Sequence, residues 1–400
     1  MKEIKVLRII ARLNIGGPAI HTVILTEGLD RNRFQSLLVC GSTGKDEGDM
    51  FYYARARSVT PIFIPELKRE LNFFNDISAF KKIYNIIRIE RPDIIHTHTA
   101  KAGTLGRTAG ILYNLLHPFN NKIKLIHTFH GHVFEGYFNG AWSRFFVLVE
   151  KILAFFTSRI ITVSESVKRE LIALHIAKEN KIEVIPLGFD LEKFLNVPFK
   201  CGAVSNIGIV GRLVPVKNHK LFLDAAARLI ADNPGLQLKF KIIGDGELRG
   251  ELERYSVALG IKNNVDFLGW HKDLAGIYAS LDIITLTSIN EGTPVSLIEA
   301  MACARTVVAT DVGGIRDLLG DEVFLKNTQG VDFKVLERGI MVKSRDVVNF
   351  AAALNFALRD SVLRRKMGEK ARAFVKGKFT KDRLIKDIES LYSSLLFIYK

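Results

Sequence analysis

Short runs of β-branched and other apolar residues alternate with longer stretches in which apolar positions recur every three or four residues. This predicts strands joined by crossover helices, the pattern of parallel sheets covered on both faces. In the first half the strands are expected at 5–11, 36–40, 61–64, 93–97, 124–128, 159–163 and 183–186. The rhythm restarts at 206–210 and continues through 239–243, 265–268, 282–286 and 306–309, with helices near 218–232, 247–259 and 295–304. After Val342 the pattern is helical to the end, with no further strand to pair. Residues 196–202 follow neither period and contain Pro198 and Gly202, so they read as a linker. Two doubly wound, Rossmann-like α/β domains are implied, at 1–198 and 199–378, with a tail at 379–400 that packs back on the first.

Composition agrees with two cores. Of 400 residues 48% are hydrophobic and only 41 are Pro or Gly, which excludes a disordered or collagenous chain. The most apolar stretch, 142–156, is broken by Arg144, Glu150 and Lys151, and so predicts a buried helix, not a membrane span. No secretory signal is read at the start, because Lys2, Glu3 and Lys5 run straight into the first strand. Cys40, Cys201 and Cys303 lie far apart, which excludes a disulfide scaffold or a cysteine zinc site and fits a reducing cytoplasm.

The net charge of +15 calls for an anionic partner. Residues 359–386 hold 11 basic and 3 acidic residues, so this segment carries more than the excess of its half. A helix over 75–88 adds Lys81, Lys82 and Arg88 beside an apolar face of Ile77, Phe80, Tyr84 and Ile87.

Ligands of open α/β sheets bind beyond the carboxyl ends of strands, so the loops there carry the chemistry. The strongest signal runs from Asn290 through Glu291, Gly292, Thr293, Pro294, Val295 and Ser296 to Glu299. Thr293 suits a helix N-cap and Pro294 the first helical position, leaving the N–H groups of Val295 and Ser296 to meet an anion. Glu299 leans back over that turn and Glu291 approaches from the loop, two carboxylates suited to hydroxyl donors. At the end of another strand, Gly211, Arg212 and Lys217 offer a guanidinium fork and a point charge for a diphosphate. Gly16 and Gly17 follow the first strand without forming a dinucleotide fingerprint or a Walker A loop, and Gly244-Asp245-Gly246 makes a turn suited to a nucleotide.

Five histidines, His96, His98, His127, His130 and His132, sit in two segments that follow strands. A metal site is not expected: there is no H-E-x-x-H, no D-x-D, and alternate strand residues point to opposite faces. His130, before Gly131, is the candidate for a polar contact with substrate, and His96 and His127 are read as core or as support behind that contact.

In this order, Gly16-Gly17, His130-Gly131, Gly211-Arg212 with Lys217, Gly244-Asp245-Gly246 and Glu291 with Glu299 resemble family 4 retaining glycosyltransferases over nearly the whole chain. The segment from His96 to Arg107 resembles bacterial and archaeal members that extend surface polysaccharides or lipid-linked glycans. The resemblance implies a GT-B fold, with an acceptor-binding first domain and a donor-binding second domain facing across a cleft. It implies that Arg212 and Lys217 hold the donor diphosphate, Glu299 the ribose and Glu291 the transferred sugar. Gly292 to Ser296 would supply backbone contacts, His130 would touch the sugar, and Gly16-Gly17 would approach the phosphate and acceptor. It also implies transfer with retention and no bound metal, the leaving phosphate taking the acceptor proton. A charged stretch at 321–338 departs from the family pattern.

The expected reaction moves a hexosyl or N-acetylhexosaminyl unit from a nucleotide diphosphate sugar, UDP-linked by expectation and the only cofactor-like group, to a saccharide or polyprenyl-linked acceptor. The enzyme is expected in the cytoplasm, peripheral on the inner membrane face, with its surplus cations on an anionic membrane surface and no nucleic acid. The alternatives are a nucleotide-sugar 2-epimerase with a similar cleft, a glycoside hydrolase using Glu291 and Glu299, and a basic nucleic-acid-binding protein.

Overall fold

The computed structural model of the protein describes residues 3–44, 48–68, 70–131, 140–200, 202–323 and 332–397; His132 and Cys201 lie outside them. The chain divides into two compact units, Met1–Phe189 with Lys381–Lys400, and Asp190–Thr380.

The first unit runs β1 (Ile4–Arg12), α1 (Gly17–Gly28), β2 (Phe34–Gly41), α2 (Phe51–Ala56), β3 (Ile62–Ile64), α3 (Phe73–Glu90), β4 (Ile94–His98), α4 (Ala100–Leu116), β5 (Lys124–Phe129), α5 (Gly140–Phe156), β6 (Arg159–Thr162), α6 (Glu165–Ala173) and β7 (Ile182–Val184). Its seven strands are parallel in the order β3-β2-β1-β4-β5-β6-β7.

The second unit runs α7 (Glu192–Leu195), β8 (Asn206–Val210), α8 (His219–Asp232), β9 (Lys239–Ile243), α9 (Arg249–Ala258), β10 (Val265–Gly269), α10 (Leu274–Ser280), β11 (Ile283–Leu286), α11 (Val295–Ala302), β12 (Thr306–Thr310), α12 (Ile315–Leu319), β13 (Phe333–Leu336), β14 (Gly339–Val342), α13 (Val347–Arg359) and α14 (Ser361–Lys378). Its sheet is ordered β10-β9-β8-β11-β12-β14-β13. A last helix, α15 (Lys381–Phe397), belongs to the first unit.

Because parallel strands are buried on both faces, their side chains read as continuous apolar runs. In the first unit Ala79 and Ile83 of α3 cover one face, while Ile24 of α1 packs with Leu384, Ile388 and Tyr392 of α15 on the other. In the second, Phe222 and Leu229 of α8 meet Phe350 and Leu354 of α13.

Two expectations need correction. Neither β13, inside the charged 321–338 stretch, nor β14 just after it was among the expected strands; the two pair antiparallel, so the second sheet is not wholly parallel. Exposed Lys334 alternates with buried Phe333 and Val335, the pattern of an edge strand, but three residues of it are too short to stand out among charges. Second, 142–156 is not a buried helix: Phe145, Leu148, Ile152 and Phe155 stand out from α5, with Phe155 77% exposed. Their spacing of three and four residues puts them on one stripe. The opposite face meets α4, where the fully buried Arg107 donates to Glu150 at 2.8 Å. Within the basic 359–386 segment, Arg359, Arg365, Lys366, Lys370, Lys376, Lys378 and Lys386 are exposed, whereas three arginines are engaged internally. Arg364 donates to the carbonyls of Ala357 and Leu358, Arg372 to those of Ala302 and Val197, and Arg383 to those of Pro186 and Leu187. Lys82 is paired with Glu66.

Cys40 and Cys303 are buried, and burial pushes both thiols up to about 12. Among the described residues no helix is long and apolar enough to cross a membrane.

Burial pulls the Arg107 guanidinium below its ordinary range, opposed by the charge of Glu150. Replacing Glu150 with Leu would strand that cation and should cost about 3–5 kcal/mol, whereas Arg107→Met with Glu150→Leu should recover most of the loss. Urea denaturation of the parent and the two variants checks this.

Candidate active site

In each sheet the strand order reverses at one point, between β1 and β4 in the first unit and between β8 and β11 in the second. Loops diverge there and leave a crevice at the strands' carboxyl ends.

At the second switch point, β8 leads to Gly211, Arg212 and Lys217, and β11 leads to Thr287, Ser288 and Glu291. Lys217 Nζ lies 2.5 Å from Glu291 Oε1, which also accepts from Ser288 Oγ at 2.6 Å. Two backbone anchors hold the loops in register: Thr287 Oγ1 donates to the Lys217 carbonyl at 2.9 Å and Ile289 N to that of Val216 at 2.9 Å. Arg212 is half-buried. Gly244 follows β9 at φ 132°, and a Cβ there would sit 2.0 Å from the Gly211 carbonyl oxygen, so only glycine lets the two turns meet.

Helix α11 begins at Val295 with Pro294 as its N-cap, at φ −72° and ψ 118°. This corrects Thr293 as the cap and Pro294 as the first helical residue: proline's fixed φ suits the extended cap position as well, and the Thr293 hydroxyl makes no capping bond. The Thr293 Oγ1 is buried without a partner among the described residues. With no side-chain cap, the first N–H groups of the helix, from Val295 and Ser296 onward, remain available to an anion. Gly292 is tied in through its carbonyl, which accepts from Gly314 N at 3.0 Å.

Glu299 lies one turn into α11. Its Oε2 is 2.9 Å from the hydroxyl of Tyr278, which shares its proton with the Ser296 carbonyl at 3.0 Å. Burial raises the Glu299 carboxyl to about 7, the Tyr278 hydrogen bond opposing it. Nothing in the local sequence pattern announced Tyr278, which lies on α10. Nor was His219 expected: at the start of α8 it is buried, both ring nitrogens lack partners among the described residues, and burial with the nearby Lys217 ammonium lowers it to about 4.

At the first switch point, β1 ends at Arg12, and Gly16 and Gly17 open α1, with Ile20 N donating to Gly16 O at 3.3 Å. The strand residues His96 and His98 fall on one face of the sheet. His96 is fully engaged, with Nδ1 2.6 Å from the Tyr392 hydroxyl and Nε2 2.7 Å from Thr128 Oγ1. His127 faces the other side, its Nδ1 2.8 Å from Thr97 Oγ1. His98 Nδ1 meets His130 Nε2 at 3.0 Å. His21, from α1, packs edge-on against both rings, with centroids 5.6 and 5.1 Å away. Burial holds His21 and His98 well below the ordinary histidine range and His130 at about 3, so all three are neutral at pH 7. His21 was missed as a site residue; its signal was its place four residues into the helix that Gly17 opens.

The structure therefore brings together Lys217 with Glu291, and Glu299 with the first turn of α11. Gly16, Gly17 and His130 belong to the other unit. A diphosphate with its hydroxyl-bearing substituents matches the group at the second switch point: the Lys217 ammonium, free helix N–H groups and two carboxylates.

Two such Rossmann-like units, each with polar groups gathered at its switch point, define the GT-B architecture. A family model described as Glycosyltransferase Family 4 matches residues 15–193, and one described as Glycosyl transferases group 1 matches residues 204–360. The chain belongs to the family 4 glycosyltransferases. The UDP-Gal:alpha-D-GlcNAc-diphosphoundecaprenol alpha-1,3-galactosyltransferase of Escherichia coli is 29% identical over 348 residues, 84% of this chain and 83% of that one. The capsular polysaccharide biosynthesis glycosyltransferase CapM of Staphylococcus aureus is 27% identical over 346 residues, 82% of this chain and 84% of its own. The crystal structure of Anabaena Alr3699/HepE in complex with UDP matches with a TM-score of 0.76 at 20% identity, over 98% of this chain and all of that one. The chain is thus a glycosyltransferase of glycan synthesis, which displaces the epimerase, hydrolase and nucleic-acid readings.

The Glu299 carboxyl fixes the sign of a pH effect. A carboxyl raised by folding favours the native state while protonated, and that advantage is lost as pH climbs from the ordinary carboxylate range through about 7. Glu299→Gln should therefore be more heat-stable than the parent at pH 8, with the difference gone near pH 4, and should bind nucleotide about tenfold more weakly. Thermal melts across pH, with and without nucleotide, check both.

Proposed function

We propose that this enzyme moves a hexosyl or N-acetylhexosaminyl unit from a UDP-linked sugar to a saccharide or polyprenyl-linked acceptor, with retention at the anomeric carbon and without a bound metal. The observation that carries this reading is the Lys217–Glu291 ion pair at the switch point, beside the open first turn of α11. A relative named for a UDP-Gal donor and a diphosphoundecaprenol-linked acceptor, and a fold neighbour crystallised with UDP, support the donor and acceptor classes.

An arriving diphosphate draws Lys217 away from Glu291 and takes the Arg212 guanidinium as a second cation. The freed Glu291 carboxylate then accepts hydroxyls of the sugar, while Glu299 accepts those of the ribose. Backbone N–H groups of Val295 and Ser296 face the phosphate, and Gly292 to Pro294 shape its approach. Gly244 keeps the neighbouring turn low enough to admit the nucleotide. As the glycosidic bond breaks, negative charge grows on the leaving phosphate, and the two cations and the helix terminus stabilise it, the task a divalent ion performs in metal-dependent transferases. The leaving phosphate oxygen takes the acceptor proton on the same face, which retains configuration. The family resemblance assigns His130 to a hydroxyl of the sugar and Gly16-Gly17 to the phosphate and acceptor.

Arg212→Ala and Lys217→Ala should each lower kcat/KM about 100-fold, ~2.7 kcal/mol of transition-state stabilisation, and a loss within about threefold would overturn the assignment. With an α-linked donor, NMR of the product should show an α linkage, and the rate should be unchanged by EDTA.

A lipid-linked acceptor places the enzyme on the cytoplasmic face of the membrane. The stripe of Phe145, Leu148, Ile152 and Phe155 on α5, with Arg144 and Lys151 on the same helix, suits the headgroup boundary of an anionic bilayer and adds an apolar anchor to the exposed cations of 359–386. Phe145→Ser with Phe155→Ser should weaken co-sedimentation with anionic vesicles about tenfold or more, given the apolar area removed. Equal binding by parent and variant, or by neutral and anionic vesicles, would remove this surface.

A further inference from the structure

Hydrogen-bond accounting separates the buried histidines of the first unit into two groups. His96 uses both ring nitrogens, on Tyr392 and Thr128, and His127 is bonded to Thr97 on the opposite face. By contrast, both nitrogens of His21, Nε2 of His98 and Nδ1 of His130 have no partner among the described residues, although all are buried. Leaving so many ring nitrogens unpaired away from water is costly. Each of these three residues also offers one ring nitrogen within 4.8 Å of those of the other two.

We propose that His21, His98 and His130 form a three-imidazole site for a borderline-soft divalent ion such as Zn²⁺, and that its occupancy inhibits the transferase. Neutral imidazole is the ligand form such ions take, and zinc binds three histidines with a fourth position left to water or hydroxide. With Zn–N bonds of about 2.0–2.1 Å, tetrahedral ligands stand roughly 3.3 Å apart, so the rings must turn inward and an arriving ion replaces the His98–His130 hydrogen bond. Hard ions such as Mg²⁺ and Ca²⁺ require oxygen ligands, which the group does not offer. Among the described residues no carboxylate belongs to the cluster, and Arg8 is a charged neighbour of both His21 and His98. Three neutral imidazoles by themselves leave the ion's charge uncompensated, which suits a reversible effector. This stays compatible with transfer that needs no metal. The inhibition rests on the reading that His130 touches the transferred sugar: a liganded His130 is withdrawn from it.

The test adds Co²⁺ to the purified full chain and follows its visible absorption. One equivalent should bind with the intense bands of tetrahedral cobalt, be displaced by Zn²⁺ and be indifferent to Mg²⁺. His21→Gln should abolish the bands, with far-UV circular dichroism confirming its fold and His127→Gln, on the other face, serving as a control that keeps them. Absence of the tetrahedral bands in the parent, or their persistence in folded His21→Gln, overturns the site. In parallel, Zn²⁺ should slow transfer by the parent on the order of tenfold and leave His21→Gln at its own uninhibited rate. Tetrahedral binding without inhibition upholds the site and overturns the contact between His130 and the sugar.

Discussion

Parallel strands must be covered on both faces, and that constraint decides where chemistry can occur in this protein. With β1, β4, β8 and β11 sealed by helices, polar side chains have only the carboxyl ends of the strands in which to meet a ligand. The order β3-β2-β1-β4 in one sheet and β9-β8-β11-β12 in the other opens one crevice per unit, and the candidate residues follow a strand beside it or the next strand out, as His130 follows β5 and Gly244 follows β9, or lie on an adjoining helix. The same covering accounts for the internal polar layer. His96, Tyr392 and Arg8 lie between the first sheet and its helices, where each must find a partner, and the Tyr392 hydroxyl meets both of the others.

Charge is handled differently at the two switch points. In the second unit opposite charges sit together, Lys217 against Glu291, with Glu299 shielded beneath Tyr278. Both carboxylates therefore depend on what else occupies the site. In the first unit burial silences the imidazoles, so they act as neutral donors and acceptors. The net charge of +15 says little about either place, because several arginines of 359–386 bind backbone carbonyls of their own unit.

The strands of the first sheet were legible because each is a short apolar run ended by a turn or helix signal, as at Lys124–Phe129 before Gly131. The seat made by Glu291, Val295, Ser296 and Glu299 was legible for a related reason: its members share one strand-turn-helix segment. What stayed hidden depends on distant parts of the chain. Tyr278 reaches Glu299 across 21 residues and His21 reaches His98 from another element, and no local period encodes either meeting. The stripe on α5 misled for a different reason. Hydropathy records how apolar a helix is, not whether a neighbour covers it, and Phe155 is as apolar exposed as it would be buried.

Helix α15 supplies Leu384, Ile388 and Tyr392 to the core of the first unit, yet the whole of the second unit, Asp190–Thr380, lies between it and the strands it covers. During synthesis β1 to β7 emerge long before their last covering helix exists. One face of that sheet, with the polar groups of Arg8 and His96, must wait in a partly open state while the second unit is made. Closing so long a loop adds little to the equilibrium cost, because loop entropy grows only with the logarithm of length, but it delays completion. The first unit is thus the last to be finished, and the order of folding runs against the order of the sequence.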